Sequence, residues 1–211
     1  MPARPDELAS LAEPVRVRLD AANGAREQGL SSARRTIQAS SQSIRATHRR
    51  DWDQAAELAD TALASLREAQ NALAPFPQFA ASGPLHDAAK EYAEARLTLA
   101  LAAERPLPSA EELQISDQSW LNGLAEAASE LRRHLLDRLR DGDFELAERL
   151  LAAMDDVYAL LVTIDYPDAV TSGLRRTTDA LRPVLERTRG DLTTTFLQQR
   201  LQRALEDRLP E

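Results

Sequence analysis

Apolar positions along this chain return every three to four residues, the period of one helix face, and short clusters of Pro, Gly, Ser and Asp interrupt them. Leu30, Ala33, Ile37, Ile44 and His48 mark one such stripe over about 26–49. Asp51 reads as the N-cap of a helix to about Ala74, with Ala55, Leu58, Ala62, Leu66, Ala69 and Leu73 on its inner face. Pro75 and Pro77 stop it, since a residue preceding proline is pushed out of the α region. Ser82-Gly83-Pro84 restarts the chain toward a helix ending about Glu104. Ser109 and Glu112 form a capping box for a short turn, Ser116 caps a long helix to Asp141-Gly142, and Asp143 caps the next, to about Ile164. After Asp165-Tyr166-Pro167-Asp168 comes a helix with Pro183 inside it as a kink, and Gly190 is expected to end it. Leu192, Phe196, Leu197, Leu201 and Leu205 then form an amphipathic tail. Residues 1–24 are broken by proline and read as a loosely ordered N-terminal segment with one short helix ending at Asn23-Gly24.

No stretch alternates as a strand should, and the composition agrees. Ala, Leu and Arg recur, aromatics make up 4% of the chain, and 43% of the residues are apolar. The expectation is one all-α domain over 1–211, a bundle of about seven helices. With no cysteine there is no disulfide, thiolate zinc site or cysteine nucleophile. The N-terminus has no apolar core of a signal peptide, and no apolar run reaches membrane-spanning length, so a cytoplasmic location with no membrane partner is expected.

The formal charge of −8 disfavours a wholly basic nucleic-acid binder but not a local basic face. The stretch 26–50 holds Arg26, Arg34, Arg35, Arg45, Arg49 and Arg50 against Glu27 alone, a local excess of +5. Guanidinium forks grip phosphate in two-pronged fashion, which suits a contact that tolerates any sequence. A second cluster holds Arg175, Arg176 and Arg182, then Arg187 and Arg189, with Asp179 and Glu186 interleaved at pairing distance. Of the 26 basic residues all but Lys90 are Arg, which reads as a bias of composition.

Two helices carry acids one turn apart on a single face: Glu91 with Glu94, and Glu126 with Glu130. Such pairs can be solvated surface. Were the two helices neighbours, the four carboxylates could instead hold Mg²⁺ or Mn²⁺, which favour hard oxygen donors. A di-iron bundle is excluded, because it needs Glu three residues before His, whereas His48, His86 and His134 follow Arg45, Gly83 and Leu131. Tyr92 and Trp120 read as core or interface aromatics, His134 as a surface residue, and Asp155 with Asp156 as partners for Arg on a neighbouring helix.

Several segments in their order resemble the translin family, which includes translin and translin-associated factor X. They are Glu91-Tyr92-Ala93-Glu94-Ala95, Trp120-Leu121-Asn122-Gly123-Leu124, Glu130 to Arg133, Leu139 to Asp143, Asp165 to Asp179, and Glu186 to Leu192. The likeness is closest to the single-chain prokaryotic branch and runs well over about 85–195. It implies an all-α subunit of a ring or barrel of eight identical chains that binds single-stranded RNA or single-stranded DNA. Catalytic members are implied to cut RNA phosphodiesters with metal-activated water, using Glu-x-x-Glu on one helix and Asp-x-x-x-Glu on a later one. Glu91 and Glu94 match the first pair and Glu130 the last acid, while Glu126 stands at the Asp position, one methylene longer. The expectation is a Mg²⁺- or Mn²⁺-dependent endoribonuclease whose metal-holding catalytic residues are Glu91, Glu94, Glu126 and Glu130. Arg34, Arg35, Arg45, Arg49, Arg50, Arg175 and Arg176 would contact nucleic acid. The alternative is a non-catalytic nucleic-acid-binding ring like translin itself, which lacks part of the acid set.

Overall fold

A chain rich in Ala, Leu and Arg, with helix caps at nearly every break, has little option but helix. The structure, a computed structural model, describes residues 5–80 and 83–207, and among them it contains helices and no strand. Six helices are long: α1 (Pro5–His48), α2 (Trp52–Leu73), α4 (Gly83–Ala102), α6 (Asp117–Arg140), α7 (Phe144–Val162) and α9 (Leu174–Glu206). Three are single turns: α3 (Pro77–Ala80), α5 (Ala110–Leu113) and α8 (Asp168–Thr171). None among the described residues is long and apolar enough to cross a membrane.

The caps fall where the sequence places them. Asp51, Ser116 and Asp143 each accept a hydrogen bond from the free backbone N–H groups of the turn that follows, and Ser109 with Glu112 closes a capping box. Two breaks expected from glycine are absent. α1 runs through Asn23-Gly24 and α9 through Pro183 and Gly190. Neither Gly24 nor Gly190 takes a positive φ, and good helix formers on both sides outweigh a glycine cost of about 1 kcal/mol. Residues 5–24 therefore belong to one long helix and not to a separate short one. Residues 1–4 and Ser82, which enter the expected first segment and the expected restart, lie outside the described residues.

α1 and α2 pack as an antiparallel pair along small side chains. Ser32, Ala33, Thr36, Ala39, Ser40, Ser43 and Ala46 of α1 face Ala55, Ala59, Ala62, Leu66 and Ala69 of α2, all buried. Ser43 Oγ donates to the Ala55 carbonyl at 2.7 Å, so a buried hydroxyl is satisfied. Leu66, Tyr92, Leu97, Leu124 and Leu181 belong to the main core, and Leu131, Leu135, Leu150, Met154 and Leu185 to a second cluster beside it. α4 packs against both α1 and α6 at the centre of the bundle, which makes neighbours of the two acid-bearing helices.

Candidate functional site

Gly123 sets the distance between α4 and α6. A Cβ at that position would sit 2.6 Å from Ala93 Cβ and 2.9 Å from both the Glu94 amide nitrogen and the Lys90 carbonyl oxygen. Two of those atoms are backbone and cannot swing aside, so only glycine permits this approach. Glu126 and Glu130 follow Gly123 at i+3 and i+7 on the same face. They are thereby carried against Lys90, Glu91 and Glu94. Glu91, Glu94 and Glu126 each offer a carboxylate oxygen, all within 4.8 Å of one another.

Glu130 stands beside this trio and not within it. Its carboxylate is engaged by His48 Nε2 at 2.7 Å, and it lines a cleft of about 250 Å³ with Glu91 and Glu94. Lys90 Nζ lies 2.8 Å from Glu126 and 3.5 Å from Glu91. Glu94 is 8% exposed and makes no hydrogen bond or ion pair among the described residues. Burial, and then the charges of Glu126, Glu91 and Glu130, push its carboxyl from 4.5 up to about 9. Burial also raises Glu91, against the pull of Lys90. Burial works against the charge on Lys90, yet the hydrogen bond and charge of Glu126 outweigh it and hold the ammonium above its usual range.

The donor set fits a hard divalent cation. Three carboxylate oxygens converge, and one of them, on Glu94, is too poorly compensated to keep its charge without a further cation nearby. The residues that could hold such an ion are Glu91, Glu94 and Glu126, with Glu130 adjacent.

Of the arginines, only Arg45 among the seven expected contacts lines this cleft, where it is joined by Arg133. Arg45 bonds Ser41 at 3.1 Å, and Arg49 bonds Gln54 at 2.7 Å. Arg35 is paired with Glu68, and Arg50 with Asp141. Arg34, exposed and without an ion pair among the described residues, sits eleven residues from Arg45, about 16 Å along the helix. Arg175 and Arg176 are exposed at the start of α9, Arg175 on a separate open cleft with Tyr158 and Asp179. The pairing expected of Asp179 and Glu186 with these arginines does not form among the described residues, whereas Asp155 does pair with Arg189 at 2.5 Å. The basic residues thus form several separate groups.

One further side chain, His134, differs from expectation, while Tyr92 matches it. His134 is 3% exposed and not on the surface, edge-on to Trp52 at 6.1 Å, and burial, then Arg50 and His48, lower its pKa. Tyr92 is in the core, and Trp120 donates Nε1–H to the Pro108 carbonyl at 2.9 Å. His48 was legible only as one more position on an inward stripe, since nothing local points to Glu130, 82 residues away. Lys90, read from the sequence only as part of a compositional bias toward Arg, was missed as well; its place next to Glu91 is the local feature that points to it.

An all-helical bundle with a carboxylate cluster between two central helices is the class that fold and site define. No family model matches the chain. It is 31% identical to AfC3PO, with a TM-score of 0.79, over 88% of this chain and 97% of that one. It is 30% identical to AfC3PO in a complex with duplex RNA, with a TM-score of 0.78, over 88% and 96% of the two chains. Apo-NeC3PO shares the fold at 20% identity, with a TM-score of 0.77 over 92% of this chain and 99% of that one. An uncharacterized protein of Methanocaldococcus jannaschii is 36% identical over 129 residues, 61% of this chain. That match spans 56% of the relative, little more than half its length. The chain belongs to the translin family.

Proposed function

We propose that this protein binds RNA and is a metal-dependent endoribonuclease. The observation that carries the reading is the convergence of Glu91, Glu94 and Glu126 within 4.8 Å in a molecule where Arg45 and Arg133 line the adjoining cleft. Glu91, Glu94 and Glu126 would hold Mg²⁺ or Mn²⁺, which supplies Lewis-acid activation of water for phosphodiester hydrolysis. His48 holds Glu130 in place at the rim of the cleft. Arg45 and Arg133 offer guanidinium groups to backbone phosphates, a contact that reads charge and not sequence. One of the solved relatives holds duplex RNA, which supports RNA as the ligand class. Single-stranded RNA is the substrate we propose, with single-stranded DNA as a second ligand. The acting form is a homo-oligomer, an octamer in the proposal.

Incubating the protein with end-labelled single-stranded and duplex RNA, in Mg²⁺, Mn²⁺ or EDTA, tests this reading. Cleavage that requires metal and is lost in Glu94→Gln is expected, with binding retained. Cleavage that persists in EDTA overturns it. Light scattering of the same sample reads the subunit number.

A second reading is a non-catalytic RNA-binding ring. The observation that favours it is the 2.8 Å ion pair between Lys90 and Glu126, which engages a proposed metal ligand. Binding that weakens steeply with salt, with no cleavage in any metal, would select it.

A further inference from the structure

The single lysine of this chain stands in the acid cluster, while 25 arginines occupy its other basic positions. Its ammonium lies between Glu126 and Glu91, at 2.8 and 3.5 Å, on a side chain 20% exposed. The cluster is thereby divided. Glu126 and Glu91 share Lys90, Glu130 is engaged by His48, and Glu94, 8% exposed, faces the cleft with no partner among the described residues. We infer that the Lys90 ammonium takes the place of a second cation in the cluster of Glu91, Glu94 and Glu126, so that the protein takes up one divalent ion per chain and not two. The inference rests on the metal-site reading above.

Charge argues the same way. With the three convergent carboxylates ionised against one ammonium, the cluster carries a net −2, which one divalent ion neutralises and two would overturn to +2. The chemistry explains why lysine stands here in a chain that otherwise uses arginine. An ammonium is a compact point charge on a flexible stem and can sit between carboxylates on adjacent helices. A planar guanidinium needs more room and a fixed two-pronged geometry. Glu126, the longer residue at the position where the family pattern has Asp, reaches the lysine directly.

Counting bound Mn²⁺ tests the inference separately from cleavage. The protein is stripped with EDTA, dialysed against Mn²⁺ and analysed by elemental mass spectrometry, with free ion followed by electron paramagnetic resonance. One ion per chain is expected in the wild type, two in Lys90→Gln, and one in Lys90→Arg, which keeps the charge. Should Lys90→Gln not fold without metal, it is purified in Mn²⁺ throughout and its ions are counted after gel filtration. Equal counts in the wild type and Lys90→Gln overturn the inference, as do two ions in the wild type. A wild-type count of zero overturns the functional reading, and this one with it.

Discussion

Two helix pairs in this molecule are drawn together by glycine, and they use the closeness in opposite ways. At α1–α2, the nearest atoms to Gly29 are those of the Leu73 side chain, and the seam is methyl groups and hydroxyls that are mostly satisfied. At α4–α6, Gly123 meets backbone, and the seam presses three carboxylates and a lysine together, with Glu130, engaged by His48 of α1, beside them. The first contact is a source of stability, because each buried methyl leaves water and no charge is stranded. The second brings like charges together and desolvates Glu94, so the surrounding core holds it there against its own electrostatics. Closeness of backbones is neutral in itself. The side chains flanking the glycine decide whether it makes a core or a site.

Adding a methyl group at each glycine breaks the comparison most sharply. Gly123→Ala should destabilise by about 3 kcal/mol, since its Cβ collides with backbone that cannot yield, and should abolish Mn²⁺ uptake with the trio spread apart. Gly29→Ala should cost about 1 kcal/mol, since Leu73 can turn away near the end of α2, and should leave Mn²⁺ uptake unchanged. Urea titration and ion counting read both. Equal losses would mean that the two seams are alike.

Glu94→Gln tests the electrostatic half. Removing the most strained acid should raise the melting temperature of the metal-free protein by several degrees at pH 8, at about 2–4 °C per kcal/mol for a chain of this size, while ending metal uptake. A lower melting temperature would show that Glu94 is a net stabiliser.

The same residue gives the wild type a pH signature. The folded state holds the Glu94 proton up to about 9, against 4.5 for the ordinary group, so the unfolded chain releases it first. Its contribution is present in full below pH 4.5 and is lost as pH climbs toward 9, so metal-free stability should fall over that range and then level off. Saturating Mn²⁺ should remove the decline, and Glu94→Gln should flatten it. Thermal melts at intervals between pH 5 and 9.5 give the slope, and a rise with pH would contradict the assignment.

The smallest effect concerns the arginines. Arg45→Ala, at the cleft, should weaken RNA binding several-fold and reduce the salt slope by about 1, whereas Arg35→Ala should change it little, because Glu68 already engages that guanidinium. Fluorescence anisotropy over a salt series distinguishes the two. Equal losses would make the whole length of α1 the contact surface.

Local signals determined much of this protein. Caps at Asp51, Ser109, Ser116 and Asp143, prolines at 75, 77 and 167, and the period of the apolar stripe set where most helices begin and end, because each acts within one or two turns. The same period places Glu91 with Glu94 and Glu126 with Glu130, each pair on one face. Gly24 and Gly190 misled because a glycine in a helix costs little against strong neighbours on both sides. What the tertiary structure decided is which faces meet. Only the approach at Gly123 makes Glu91, Glu94 and Glu126 one cluster, gives Glu126 to Lys90 across 36 residues, and gives Glu130 to His48 across 82. Only the packed bundle engages Arg35 and Arg50 with acids while leaving Arg45 at the cleft. Helix period and capping are interactions between near neighbours and can be read along the chain. Charge pairing depends on distances between helices, and those exist only once the core has packed.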